Sequence, residues 1–253
     1  MQHSQLLEKI MELGYQGFKE AYERQSEDPN YHSLPFEERL YQLLDAQALF
    51  LKNKRIAMNR RLSKIKDKHS AIEALDFAVQ RRLNKAQMHA LATMDFIRAH
   101  QNIIITGKTG TGKSYLAQAL ANRAIVDGFR AYYVRTPSLL EEIRIARIDG
   151  TYTNLLKKYS RFQLLILDDF GVSPMHEDDA TNLFEIIEDR TQINSTIITS
   201  QLPVNEWYGY LNNNTIADAI LDRVVHSSHR IELQGESMRK LHSTIQPIPG
   251  KEN

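Results

Sequence analysis

The sequence contains no cysteine, a single tryptophan and no long apolar run. The absence of cysteine excludes a disulfide framework and any cysteine-based zinc or redox site. No stretch approaches the roughly eighteen apolar residues that a membrane span needs, and residues 1–13 lack the regions of a signal peptide. We therefore expect a protein of the reducing cytoplasm with no membrane partner.

An excess of either charge is also missing, because 32 basic residues are balanced by 31 acidic ones in 253 residues. A net charge of +1 cannot attract nucleic acid through the overall field, so any such affinity must come from local clusters of cations. The length allows one large domain, or a core domain with a smaller companion.

Glycine is sparse in the chain as a whole, but three glycines fall within one octapeptide, Gly107-Lys-Thr-Gly-Thr-Gly-Lys-Ser114. An apolar run over residues 102–106 precedes this loop, and a helical pattern over residues 115–125 follows it. Strand, loop and helix in this order form a P-loop, in which backbone amides surround the β-phosphate, Lys113 reaches the β- and γ-oxygens, and Ser114 ligates Mg²⁺. The residues predicted to bind ATP are Gly107, Lys108, Thr109, Gly110, Thr111, Gly112, Lys113, Ser114 and Tyr115.

Two later apolar runs end in polar residues. Residues 164–167 lead into Asp168 and Asp169. We expect Asp168 to hold Mg²⁺ through water and Asp169 to polarise the attacking water. The alternative is an acidic turn at the end of a buried strand. Residues 196–199 lead into Ser200 and Gln201, and either side chain could contact the γ-phosphate or the water, although polar strand ends are common.

Arg223 lies among apolar residues of a predicted helix. It either pairs with Asp218 or Asp222, or projects into the ATP site of a neighbouring subunit as an arginine finger.

Short β-rich runs alternate with helical segments in the second part of the chain, at residues 102–106, 130–135, 164–168, 195–199 and 230–233. This alternation predicts an α/β fold with a five-stranded, mostly parallel sheet flanked by helices, and a nucleotide at the carboxyl ends of the strands. A helix over residues 84–100 is expected beside the first strand, and residues 77–83 are candidates to lie along the adenine. Before residue 70, helices over residues 4–25 and from residue 36 to about 65 predict a small all-α domain.

The second of these helices ends in a run of cations interrupted only by Asp67. The run is either a solvated helix face or a surface that contacts the phosphates of DNA. Its members are Lys52, Lys54, Arg55, Arg60, Arg61, Lys64, Lys66 and Lys68.

These motifs, in this order, closely resemble the IstB-like insertion-sequence ATP-binding proteins, relatives of the DnaC helicase loaders within the AAA+ ATPases. The resemblance covers nearly the whole chain. It rests on the P-loop and on Leu-Leu-Ile-Leu-Asp-Asp-Phe-Gly, Ile-Ile-Thr-Ser-Gln, Asp-Arg-Val-Val-His-Ser-Ser-His-Arg-Ile-Glu-Leu, Leu-Pro-Phe-Glu-Glu-Arg-Leu and Gly-Glu-Ser-Met-Arg.

The resemblance implies an ATPase that oligomerises on duplex DNA, selects a target, recruits or stimulates the transposase of its element, and disassembles on hydrolysis. It gives Asp169 and Arg223 catalytic roles, with Ser200 or Gln201 as sensor; most AAA+ proteins have Glu where Asp169 stands. The chain is expected to divide into a helical DNA- or partner-binding domain over residues 1–69 and an AAA+ domain over 70–245. One departure from the family pattern is that too little chain follows Leu233 for the helical lid of typical AAA+ proteins, so we expect no lid. We also expect residues 246–253 to form a disordered tail.

One further segment fits the resemblance. Initiator-type AAA+ proteins carry an extra DNA-contacting helix between the second and third strands, where this chain has Arg144, Arg147, Lys157 and Lys158. The alternative is an ordinary solvated crossover helix. Two other functions stay open: a helicase loader that binds single strands, and a nucleotide switch with negligible hydrolysis. The preferred form of DNA separates the transposition helper from the loader, and turnover identifies the switch.

Overall fold

A computed structural model describes residues 2–77, 82–176 and 178–238. The predicted disordered tail over residues 246–253 lies outside these ranges, as does the rest of the chain after residue 238, where a C-terminal lid would follow. Contacts divide the chain into two compact units, Met1–Asn59 and Arg60–Asn253. No helix in the described ranges is both long and apolar enough to span a membrane.

The first unit is helical. One helix was expected over residues 4–25, but the chain forms α1 (Gln2–Glu12) and α2 (Gln16–Glu27). The break is at Gly14, whose φ of 73° is left-handed and is accessible to glycine at little cost. α2 packs closely on the following helix, α3 (Phe36–Leu62), because a Cβ on Gly17 would lie only 2.5 Å from Cβ of Phe50.

α3 ends at Leu62, three residues before the expected end. Ser63 Oγ donates to the carbonyl of Arg60, and Lys64 has a left-handed φ of 57°. Lys64, Lys66 and Lys68 therefore follow the helix instead of lying on it.

The segment after α3 is part of the second unit, which begins at Arg60. The amides of Lys66 and Asp67 donate to Gln118 Oε1 at 3.0 and 2.9 Å, and the carbonyl of Ser63 accepts from the amide of Tyr133 at 2.7 Å. From the sequence we predicted the domain boundary at residue 70.

The second unit contains the predicted α/β fold. Its strands are β1 (Asn102–Gly107), β2 (Ala131–Arg135), β3 (Leu164–Phe170), β4 (Ser195–Ser200) and β5 (Ser228–Leu233). They form one sheet in the order β2-β3-β4-β1-β5, with all pairs parallel. Central strands of a parallel sheet are covered on both faces, which explains the continuous apolar runs of β1 and β3.

Helices cover the sheet. They are α4 (Lys85–Ala92), α5 (Asp95–Arg98), α6 (Lys113–Val126), α7 (Thr136–Ile148), α8 (Tyr152–Ser160), α9 (Asp179–Glu188), α10 (Trp207–Leu211) and α11 (Asn214–Val225). The single helix expected over residues 84–100 is two helices, because Met94 adopts a left-handed φ of 61°. A core cluster joins Ile104, Leu165 and Ile198 to apolar residues of α7, α9 and α11.

The strand order determines where the candidate site lies. β3, β4 and β1 are neighbours, so their carboxyl ends meet at one edge of the sheet. The glycine-rich loop follows β1, the paired carboxylates end β3, and Ser200 ends β4. Ligands of open α/β sheets bind at this edge.

Candidate nucleotide site

The glycine-rich loop has the backbone that a phosphate cradle requires. Gly110 and Gly112 have φ of 84° and 96°, a region that L side chains rarely adopt. Gly107 has no room for a side chain, because a Cβ there would lie 2.3 Å from the carbonyl oxygen of Leu233. Gly112 then caps α6, whose first-turn amides and dipole favour an anion.

Lys113 is the first residue of α6 and is only 7% exposed. Its ammonium donates to the carbonyl oxygens of Gly107 at 2.7 Å and Lys108 at 2.9 Å. The cation is therefore held against the loop itself. Thr111 Oγ1 donates to the same carbonyl of Lys108 at 2.9 Å and fixes the loop from within.

Asp168 is 2% exposed and accepts hydrogen bonds from three hydroxyl groups. Ser114 Oγ donates to Oδ1 at 2.9 Å, Thr199 Oγ1 donates to the same oxygen, and Tyr133 OH donates to Oδ2 at 2.5 Å. Burial and the bond to Asp168 raise the pKa of the Tyr133 phenol well above its ordinary value, so this group remains a donor. Tyr133 and Thr199 were not predicted from the sequence, although both stand near the carboxyl ends of the strands that flank β3.

The Ser114 and Asp168 pair fits Mg²⁺. Hydroxyl and carboxylate oxygens are the hard ligands that this ion prefers. Ser114 Oγ and Asp168 Oδ1 are 2.9 Å apart. No group of three or more acidic or histidine side chains forms a metal cage in the described ranges, and the oxygens of a bound phosphate can complete such a site.

Asp169 differs sharply from its neighbour. Its φ of 60° is left-handed, and its amide donates to Thr199 Oγ1 at 3.1 Å. Oδ2 accepts from Arg135 Nε at 2.7 Å in an ion pair that joins the ends of β3 and β2. Arg135 was not expected at the site from the sequence, because it stands 34 residues from Asp169 along the chain.

Only one of the two sensor candidates faces the site. Ser200 is fully buried, donates to the carbonyl of Phe170 at 2.7 Å and accepts from the amide of Leu202 at 3.0 Å. These bonds shape the turn after β4. Gln201 instead lines the cleft beside the loop, where its Oε1 accepts from Thr109 Oγ1 at 2.8 Å.

The loop opens into a cleft of about 460 Å³, a volume typical of small-ligand sites. One wall consists of Ala74, Leu75 and Asp76, and Tyr115 donates to the carbonyl of Ala71 just before this wall at 3.5 Å. Met238 lines the cleft as well, and its amide donates to the carbonyl of Gly110 at 2.9 Å. Of the residues considered for the adenine, 78–81 lie outside the described ranges.

Arg223 lies in an ion pair, but with neither aspartate suggested by the sequence. Its Nε donates to Glu188 of α9, Nη1 donates to the carbonyl of Ala219 at 3.1 Å, and the guanidinium lies 4.9 Å from the centre of the Phe184 ring. The side chain is 27% exposed, so it remains accessible at the surface of its own chain.

The cations between β2 and β3 are mostly engaged within the fold. Arg144 pairs with Asp179 at 3.0 Å, Arg147 with Glu185 at 2.9 Å and Lys158 with Glu142 at 2.6 Å. Lys157 is exposed and has no ion pair in the described part of the chain. The predicted DNA-contacting segment therefore contributes few uncommitted charges.

The IstB-like ATP binding protein family matches residues 8–245. The chain belongs to this family. Among its IstB-like relatives is a putative insertion sequence ATP-binding protein, y4pL, of Sinorhizobium fredii, which is 40% identical over 92% of this chain and 95% of its own length. A putative ATP-binding protein of insertion sequence IS1162 from Pseudomonas fluorescens is 40% identical over 78% of this chain and 85% of its own.

Solved structures share the fold of this IstB-like protein. The DnaC helicase loader superposes with a TM-score of 0.55 at 18% identity, covering 65% of this chain and 97% of its own. The replication initiator DnaA bound to AMPPCP and single-stranded DNA superposes with a TM-score of 0.54 at 18% identity, and 69% of this chain corresponds to 52% of that chain. The resemblance recognised in the sequence is confirmed, as are the five-stranded sheet and its flanking helices.

Proposed function

We propose that this IstB-like protein is an ATP-dependent, DNA-binding AAA+ regulator of transposition. In this proposal it oligomerises on duplex DNA, selects a target and recruits or stimulates the transposase of its element. Hydrolysis of ATP then disassembles the complex. The observation that carries the ATPase part is the bond of 2.9 Å between Ser114 and Asp168, which joins the P-loop to the strand-end carboxylates.

The loop amides and Lys113 would bind the phosphates, and Ser114 with Asp168 would hold Mg²⁺. The ion, when bound, neutralises charge that develops on the transferred phosphoryl group. Tyr133 and Thr199 keep Asp168 in place through the two bonds described above. Asp169 orients the attacking water, for which it must first give up its ion pair with Arg135. Gln201, at the cleft, takes the sensor role in preference to Ser200.

Arg223 serves as the finger that completes a neighbouring subunit's site. Its exposure supports this role, and its ion pair with Glu188 is the contact that assembly must exchange for the γ-phosphate. An arginine finger contributes about 10³-fold or more to the rate, so an isolated chain should hydrolyse ATP slowly.

Size-exclusion chromatography with light scattering, with and without ATP and duplex DNA, tests assembly directly. The wild-type chain should form a larger species only with both. Asp169→Asn should keep ATP binding and remain assembled, because the release step is lost. Ready dissociation of this variant from DNA in ATP would refute the role of Asp169, and preference for single strands would favour a helicase loader.

Mixed variants test the finger. Arg223→Ala and Lys113→Ala should each lose hydrolysis, and their mixture should recover part of it, because an intact finger can reach an intact P-loop across the interface. Arg98→Ala is the matched control, since Arg98 also pairs with a carboxylate, Asp95 at 2.8 Å. If every mixture stays inactive, Arg223 is a structural ion-pair residue.

A further inference from the structure

A smaller cleft of the second unit is separate from the candidate nucleotide site. It lies between the end of α3 and α6, the helix that follows the P-loop. It has a volume of about 220 Å³. Its lining residues come from the last turn of α3, from residues 68–73 and from the C-terminal half of α6. They are Arg60, Lys68, His69, Ser70, Ala71, Ile72, Glu73, Ala119, Asn122, Arg123 and Val126.

Buried polar atoms without hydrogen-bond partners are concentrated at this cleft. Arg60 Nε, Arg123 Nε and Asn122 Oδ1 are three of the four such side-chain atoms in the described ranges, and all three residues line it. A buried N–H without an acceptor is costly, and the cost is greater when the donor is charged. Both arginine side chains are only partly buried, and two guanidinium groups at one cleft favour an anion there.

The charge of the cleft favours the same ligand. Arg60, Lys68 and Arg123 line it against a single carboxylate among its described lining residues, Glu73. Arg123 also contacts Asp127, but through Nη2 at 3.3 Å, which leaves Nε unpaired. A phosphate oxygen can accept from several donors at once, and guanidinium groups suit phosphate geometry.

Asn122 has a supporting role. Its Nδ2 donates to the carbonyls of Asp67 at 3.0 Å and Ser70 at 2.9 Å, which holds the segment that carries Lys68 against α6. Its Oδ1 is an acceptor and cannot bind a phosphate oxygen directly. The phosphate contacts thus fall to the three cations.

We propose that this cleft binds one backbone phosphate of duplex DNA through Arg60 and Arg123, with Lys68 at its rim. The inference rests on the proposed DNA binding and assigns part of it to the ATPase unit itself. Arg61, Lys64 and Lys66 are exposed in the same stretch of chain and extend the basic surface. Arg123 and the cleft have no role in the nucleotide chemistry derived above.

The test compares Arg60→Gln, Arg123→Gln and the double variant with Arg161→Gln, which removes an exposed arginine that does not line the cleft. Duplex affinity is measured by fluorescence anisotropy over a range of salt concentrations. Each single variant should weaken binding on the order of tenfold and lower the salt slope by about one. The double variant should also lower the slope by about one instead of two, because both arginines share one phosphate. The control should match the wild type.

An unchanged slope and affinity in the double variant would overturn the cleft assignment while leaving the proposed function intact. A wild-type chain that does not bind duplex DNA would refute both. An equal loss in the Arg161→Gln control would mean a general charge effect and would also overturn it. Lys68→Gln, at an exposed position, provides the same comparison if the double variant fails to fold.

A test with inorganic phosphate distinguishes a cleft that binds a DNA phosphate from one that binds a free anion. Melting temperatures are measured with added phosphate against chloride at matched ionic strength. Stabilisation of the wild type that disappears in the double variant, combined with an unchanged DNA slope, would assign the cleft to a free anion and overturn the proposal. A salt slope of DNA binding that falls by about one in the double variant supports it.

Discussion

Two stretches of this chain are rich in cations, but their side chains have different surroundings. From Lys52 to Lys68, no cation has an ion pair in the described part of the chain, and most are exposed. In α7 and α8, three of the four candidate cations pair with carboxylates of the same unit. A cluster of cations in a sequence therefore predicts a nucleic-acid surface only where the fold leaves those charges unpaired.

The largest effect that would test this difference is expected from Arg144→Met. Asp179 is 1% exposed and would lose its guanidinium partner. We expect a loss of about 2 kcal/mol in the free energy of unfolding, below the value for a fully buried pair because Arg144 is partly exposed. Urea denaturation measures the loss, and adding Asp179→Asn should restore part of it. Duplex affinity should stay unchanged, and a clear fall would return Arg144 to the DNA surface.

Neutralising cations between Lys52 and Lys68 should have the opposite effects: duplex affinity should fall and stability should stay the same. Lys54 and Arg61 are exposed and seven residues apart, so they lie on one face of α3. Replacing both with Gln should lower duplex affinity on the order of tenfold and the salt slope by about two. The melting temperature should stay within about 1 °C, because surface changes of this kind have small effects. An unchanged salt slope would make this part of α3 a solvated face.

Arg147→Lys probes a pair that depends on shape as well as charge. The guanidinium stacks 3.7 Å from the centre of the Tyr152 ring, while Nε donates to Asn182 at 3.1 Å and Nη2 to Glu185 at 2.9 Å. Lysine keeps the charge but cannot make this combination of contacts. We expect a loss of about 1 kcal/mol in stability with no change in DNA affinity. Equal stability of the two proteins in urea would mean that charge alone suffices.

The smallest expected effect is the pH dependence of stability that arises from the Glu142 carboxyl. Burial raises the pKa of this carboxyl, but hydrogen bonds from Lys158 and Tyr159 outweigh burial and leave the pKa below its ordinary 4.5. A lowered folded-state pKa contributes stability above the unfolded value, and this stability is lost as pH falls through the folded value. Melting temperatures should therefore fall more steeply below about pH 4.5 in the wild type than in Glu142→Gln. Parallel curves would contradict this.

The sequence predicted those parts of the site that depend on local order. The P-loop is continuous in the chain, and its glycines are required by its own backbone. Asp168 and Asp169 were predictable because carboxyl ends of parallel strands meet at one edge of a sheet. The partners of these carboxylates were not predictable, since Tyr133, Arg135 and Thr199 reach them only through the strand order and register.

Helix ends and ion pairs show the same limit. Local spacing gave two long helices where the structure breaks at Gly14 and Met94, because left-handed residues at these points allow each half to pack separately. For Arg223, the sequence offered Asp218 and Asp222, which are five and one residues away. Residues that are adjacent in a helix do not face each other, and the partner is Glu188 of another helix.

By itself, then, the sequence determined the family, the α/β fold and the phosphate loop with its paired carboxylates, because these depend on short motifs and on hydrophobic periodicity. Only the tertiary structure decided which charges are uncommitted. It paired three of the four cations of α7 and α8 with carboxylates of neighbouring elements, left those around the end of α3 without an ion pair in the described ranges, and placed Arg60 and Arg123 at one cleft. Charge pairing depends on distances between elements remote in sequence, and the packed core sets those distances.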